Sequence, residues 1–182
     1  MPRPTPSIWE TIFYNKDGLD IPKLMLHKER TGAVSGFLGC ESISPQGLLS
    51  LPCDILVPAA LENAVHGDNA ASVKARIIAE AANGPLTPEA DRILEANGVF
   101  IIPDILCNAG GVTVSYVEWV QDEQHLFWDA QDIYSRLERI MKTSFQEVLK
   151  MHLERRLTMR TAANALGVAR VAEATRLRGL YP

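Results

Sequence analysis

Three apolar runs in this chain each end in small residues, and two of them end beside an asparagine. Pro58-Ala59-Ala60 follows Asp54–Val57, and Glu80-Ala81-Ala82-Asn83-Gly84 follows Ala75–Ala79. Pro103-Asp104, and then Asn108-Ala109-Gly110-Gly111, follow Val99–Ile102. Small side chains let a flat ring lie close to the backbone. An asparagine presents a donor and an acceptor on one group, which suits a carboxamide or a ribose. Asparagine and glycine are also ordinary turn formers. A single turn of this kind says nothing about binding, whereas three at one sheet edge bring the binding and turn readings level.

Other chemistries find less support. No Gly-x-Gly-x-x-Gly occurs, and Gly32, Gly36 and Gly39 have the wrong spacing, so the pyrophosphate-binding turn is missing from the sequence. His27, His66, His125 and His152 are dispersed without a His-x-x-x-His pair, which speaks against a metal site. There is no Gly-x-Ser-x-Gly elbow. Cys107 lies beside Asn108 but has no histidine placed to activate it, and reads as a small buried residue.

The elements that must position these turns follow from patterning. Thr11–Tyr14 reads as a short strand and Asn15–Gly18 as a turn. Asp20 caps a helix with Pro22 in its first turn, and Gly32 ends it. A short strand is expected at Val34–Phe37, then a loop to Ser44 and a short helix near Leu48. Strands Asp54–Val57, Ala75–Ala79 and Val99–Ile102 alternate with helices starting near Asp68, at Thr87-Pro88 and within Asp104–Ala109. That rhythm predicts an α/β doubly wound fold around a parallel sheet. The tail differs. Asp129 caps a long helix with an apolar face of Ile133, Leu137, Ile140, Met141, Phe145, Val148 and Met151, and Thr158 caps an alanine-rich helix.

The chain has 182 residues, 47% of them hydrophobic, with net charge -4. This suits a globular core and makes nucleic acid or an anionic membrane surface a poor partner. Late basic residues, among them Arg136, Arg139, Lys142, Arg155, Arg156, Arg160, Arg170 and Arg176, interleave with glutamates and read as solvated helix sides. No apolar run approaches the roughly 20 residues of a membrane span. Cys40, Cys53 and Cys107 are scattered without a Cys-x-x-Cys, which suggests reduced thiols and a cytoplasmic setting.

Asn108-Ala-Gly-Gly-Val-Thr-Val-Ser-Tyr-Val-Glu-Trp119 resembles the glutamate dehydrogenase family of Glu/Leu/Phe/Val dehydrogenases. So do Asn15–Asp20, Asp54–Ala60, Ala79–Gly84 with Thr87–Asp91, and Arg160–Ala163 with Arg170–Ala174, in the family's own order. The resemblance implies a partial Rossmann-like sheet followed by C-terminal helices. It also implies NAD- or NADP-linked oxidative deamination of L-glutamate to 2-oxoglutarate and ammonia. Ala59, Ala60, Asn83 and Asn108 would lie along the cofactor, and Val112 and Ser115 would line the amino-acid pocket. A hydroxyl at Ser115 can donate to a side-chain carboxylate, which favours glutamate over leucine, phenylalanine or valine. Its alternative role is a helix serine bonding back one turn.

In the family, a separate amino-terminal domain carries the catalytic lysine. None of Lys16, Lys23, Lys28, Lys74, Lys142 or Lys150 takes its place. The chain therefore reads as a Pro-rich arm over residues 1–11, a partial dinucleotide-binding domain over 12–120 and a helical segment over 121–182. It is expected to be a truncated part without turnover of its own, to leave some of its last helices uncovered, and to be of poor solubility or low stability. The alternatives are a non-catalytic truncated paralogue that binds an intact dehydrogenase subunit, in a homo- or hetero-oligomer, or binds a nucleotide weakly; a gene remnant or misplaced start; and a fragment of a leucine, phenylalanine or valine dehydrogenase.

Overall fold

The computed structural model describes residues 12–179, so the expected Pro-rich arm and Thr11 lie outside the described residues. The chain divides into two compact units, one reaching to Pro52 with Ser72–Lys74, the other made of Cys53–Ala71 and the residues from Ala75 on.

In the first unit, β1 (Ile12–Tyr14) pairs antiparallel with β2 (Glu41–Ile43), Ile12 opposite Ile43. The strand expected at Val34–Phe37 is a turn region instead, and the residues assigned to a loop supply β2. Gly36 and Gly39 sit at φ +78 and +83, conformations that suit a reversing chain and not a strand. Helix α1 (Ile21–Thr31) begins where expected, with the Asp20 carboxylate accepting from the Lys23 amide at 3.1 Å. It ends at Gly32, whose φ of +75 lets its N–H close on the Lys28 carbonyl at 2.8 Å. Ser44 caps α2 (Pro45–Leu49) in the same manner.

The second unit carries the parallel sheet. Its strands β3 (Ile55–Leu56), β4 (Ile77–Ala79) and β5 (Phe100–Ile102) lie in that order, with β4 in the centre. Ile77 stands opposite both Ile55 and Phe100. Between the strands run α3 (Gly67–Ala70), which starts one residue before the expected Asp68, and α4 (Pro88–Ala96), capped by the Thr87 hydroxyl on the Ala90 amide at 3.2 Å. Val65, Ala70, Ile78, Ala90 and Leu94 are wholly buried, so central-strand and helix residues form the core.

After β5 come α5 (Asp104–Cys107), α6 (Gly110–Gln124), α7 (Ala130–Arg155) and α8 (Met159–Arg178). A second core joins Leu106, Val148, Met159, Ala162 and Ala163. Only the first turns of the alanine-rich α8 are packed. From Val168 onward it is exposed, with Val168, Val171 and Leu177 each about 70% accessible (69%, 68% and 74%). The expectation that part of the last helix is uncovered is met among the described residues. Among the described residues, no helix is long and apolar enough to cross a membrane.

Candidate functional site

The loops after the three parallel strands are tied together by backbone. The Pro58 carbonyl, after β3, accepts from the Ala81 and Ala82 amides at 3.1 and 2.9 Å, and the Glu80 amide donates to the Ile102 carbonyl at 3.1 Å. The strand ends are thus held side by side, and a cleft of about 760 Å³ opens beyond them. Ala59, Ala60, Ala81, Ala82, Asn83, Asn108 and Val112 are among the residues that line it. This is the carboxyl edge of a parallel sheet, where open α/β folds receive ligands.

Of the residues singled out from sequence, the cleft gathers Ala59, Ala60, Asn83, Asn108 and Val112. Asn108 donates its side-chain N–H to the Asn83 carbonyl oxygen at 2.7 Å and lies 3.4 Å from the Ala82 carbonyl. One amide thereby orients the other. The Asn83 NH2 and the Asn108 carbonyl oxygen remain for a ligand, one donor and one acceptor on adjacent groups. Ser115 is different. It lies outside the lining, on the exposed side of α6, and its hydroxyl donates to the Gly111 carbonyl one turn back at 3.2 Å. Cys107 is half-buried, and burial with the nearby Glu80 charge pushes its thiol up, so it is a poor nucleophile.

Beneath the cleft lies an ion cluster. Glu80, at the end of β4, is wholly buried. The Arg160 guanidinium donates through Nη2 and Nη1 to its two oxygens at 2.5 and 3.0 Å. It also donates through Nε and Nη2 to Asp91 at 2.9 and 3.0 Å, and through Nη1 to Asp104 at 3.3 Å. All five guanidinium N–H groups are therefore engaged. Burial works against the Arg160 charge, but the hydrogen bonds it donates to Asp91 and Glu80 outweigh it and raise the guanidinium above its ordinary value. Glu80 also accepts from the Asp104 amide at 2.7 Å, and Asp104 accepts from the Gly84 amide at 2.8 Å.

Arg160 is thus no solvated helix residue, as its neighbours suggested. The other late basic residues largely are: Lys142 with Glu138, Arg170 with Glu147 and Arg176 with Glu173 form exposed pairs. Two local signals mark the exception. Glu80 is a lone charge directly after an apolar strand and before two alanines, and Arg160 is a cation in the first turn of a helix, where the backbone dipole opposes it.

The site thus belongs to an α/β unit with a small-residue cleft at the ends of its parallel strands. Residues 9–179 match the Glutamate/Leucine/Phenylalanine/Valine dehydrogenase family, and the chain belongs to that family. It is 50% identical over 169 residues to the glutamate dehydrogenase of Thermotoga maritima, covering 93% of this chain and 41% of that protein. It is 44% identical to an NAD-specific glutamate dehydrogenase of Staphylococcus aureus, over 91% of this chain and 40% of the relative. Among solved structures, the hetero-hexameric glutamate dehydrogenase of Thermus thermophilus in its leucine-bound form matches with TM-score 0.84 at 36% identity. That match covers 93% of this chain and 40% of the other. The chain thus spans about two fifths of the length of the relatives it matches.

Proposed function

We propose that this chain is the cofactor-side portion of an NAD(P)-linked glutamate dehydrogenase, which converts L-glutamate to 2-oxoglutarate and ammonia. The observation that carries this reading is the oriented Asn83–Asn108 pair, set in a small-residue cleft at the ends of three parallel strands. Bound NAD or NADP would supply hydride acceptance from the substrate Cα. Ala59 and Ala60 leave room for a flat group beside β3, and Asn83 and Asn108 offer the donor and acceptor that hold it. Val112 bounds the same cleft and would touch the amino acid, and Ser115 would meet its side-chain carboxylate by turning from Gly111. The residues fit the ring end of such a cofactor. The sequence holds no Gly-x-Gly-x-x-Gly turn for its pyrophosphate.

The chain's own part in the reaction is placement. No lysine is among the residues lining the cleft. The general base is therefore proposed to come from outside the matched region, and the 182 residues alone are expected to show no glutamate-dependent reduction of either cofactor. The NAD-specific relative makes NAD the first cofactor to test, and the hetero-hexameric one supports assembly with further subunits. The free cysteines suit a reducing, cytoplasmic compartment.

A chimera tests the reading. Residues 14–179 replace the matching region of the Thermotoga maritima enzyme, and glutamate-dependent NAD and NADP reduction is measured. Turnover that falls when Asn108→Ala is introduced supports the assignment. A chimera that melts cooperatively yet never turns over would falsify it.

A further inference from the structure

Five hydrogen bonds leave one side chain, Arg160, for three carboxylates on three different elements: Glu80 after β4, Asp91 on α4 and Asp104 opening α5. We propose that Arg160 is a positioning residue for the cleft, and that through it the placement of α8 sets the geometry of the Asn83–Asn108 pair. The proposal rests on the cleft being the ligand site, as inferred above.

The path is short and continuous. Arg160 holds Asp104 at 3.3 Å, and Asp104 Oδ2 accepts from the Gly84 amide at 2.8 Å. Gly84 follows Asn83 and has φ +55, a conformation that the Asp104 contact helps to hold. From the other side, the Asn108 amide donates to the Asp104 carbonyl at 3.0 Å. The Asn108 side chain then closes the ring on Asn83 at 2.7 Å. Both asparagines thus hang from Asp104, and Asp104 is fixed by the Arg160 fork and by Glu80, which takes its backbone N–H at 2.7 Å.

Charge explains why the fork matters more than a single contact. Three carboxylates converge on one guanidinium, and Glu80 has no access to solvent. With the cation removed, mutual repulsion drives the end of β4 and the start of α5 apart; the loop holding Asn83 follows the first, and Asn108 closes the short helix that begins with the second. A lysine keeps the charge but has a single point of attachment, so it cannot span three partners in one plane.

The test uses the 15N-labelled 182-residue chain and its R160M and R160K variants, with Val117→Ala as a control. Val117 is buried on α6 and belongs neither to the ring nor to the core of Leu106, Val148 and Ala162 that seats α8. Hydrogen exchange of the Gly84 amide and the separation of the two Asn108 side-chain proton shifts are followed by NMR. R160M is expected to speed Gly84 exchange at least about tenfold and to narrow the Asn108 separation. R160K should fall between R160M and the parent, and it still reports if R160M fails to fold. V117A should leave both signals at parent values at a matched loss of Tm. Equal effects of R160M and V117A, or a folded R160K identical to the parent, would overturn the proposal. NADH titrated into the parent chain tests the cofactor reading separately, because absent binding refutes that reading while the exchange pattern still decides the coupling.

Discussion

Removing the Glu80 carboxylate should be among the most damaging single changes in this chain. Glu80 is wholly buried, and its oxygens accept from Arg160 at 2.5 and 3.0 Å and from the Asp104 amide at 2.7 Å. In Glu80→Ala the Asp104 N–H loses its buried partner, worth about 1–3 kcal/mol. Breaking a buried ion pair from one side costs about 3–5 kcal/mol. These two figures overlap, since both count desolvated donors. Arg160 keeps Asp91, which is 16% exposed, and Asp104 at 25%, so the lower end applies. The expected loss is about 3 kcal/mol, or about 6–12 °C in Tm for a chain of this size. Urea unfolding followed by helix signal measures it, with the slope of the transition unchanged. The double variant Glu80→Leu with Arg160→Leu should lose about 1–3 kcal/mol less than the two single losses together, because Glu80 is then not left buried without its cation. A Glu80→Ala loss below about 1 kcal/mol, with an additive double variant, would show that packing alone holds β4 to α8.

Three further outcomes are expected. In the active chimera, Ser115→Val should lower kcat/KM for glutamate about 10- to 150-fold, the worth of a hydroxyl bonded to a carboxylate, while leucine use holds or rises. Unchanged glutamate use would return Ser115 to its bond with Gly111. Glu95 is held above the usual carboxylate range by burial first and by Asp91 second. A raised folded-state value means the acid favours folding fully below its ordinary pKa of about 4.3 and loses that contribution as pH rises through the folded value. Glu95→Gln should therefore raise Tm at pH 7–8 and give no gain near pH 4, so an equal gain at both would contradict the assignment. Val168→Lys with Val171→Lys on the exposed part of α8 should increase the soluble fraction on ultracentrifugation with no loss of helix signal. No change in solubility would mean that this face is harmless as it stands.

What the sequence discloses and what it hides here divide along one physical line. Capped helices are local. Asp20, Ser44, Thr87, Asp129 and Thr158 each accept from a backbone amide three residues on, and residue type alone marks such caps, Ser44 before Pro45 as much as Thr87 before Pro88. The parallel strands are legible too, because their runs are apolar and their helices periodic. They are shorter in the structure than their apolar runs, since a strand ends where its partner ends and not where hydrophobicity does. β2 defeats the pattern. Glu41-Ser42-Ile43 has no apolar run, and it is a strand only because Ile12–Tyr14 lies beside it.

The site shows the same division. Ala59, Ala60, Asn83 and Asn108 are visible because they end strands, and a sheet brings strand ends together whatever else the chain does. Arg160 is hidden because its partners lie 80, 69 and 56 residues away, and nothing local distinguishes it from Arg170 or Arg176 except its place in a helix's first turn. Yet the motif Arg160–Ala163 fits its position. Ala162 and Ala163 are buried, so the helix comes close enough for the guanidinium to reach Glu80. A larger residue at Ala162 would lift α8 from the Leu106 and Val148 core and draw the fork away from its carboxylates. The small residues of α8 thus act on the cleft through distance, and the cation acts on it through charge.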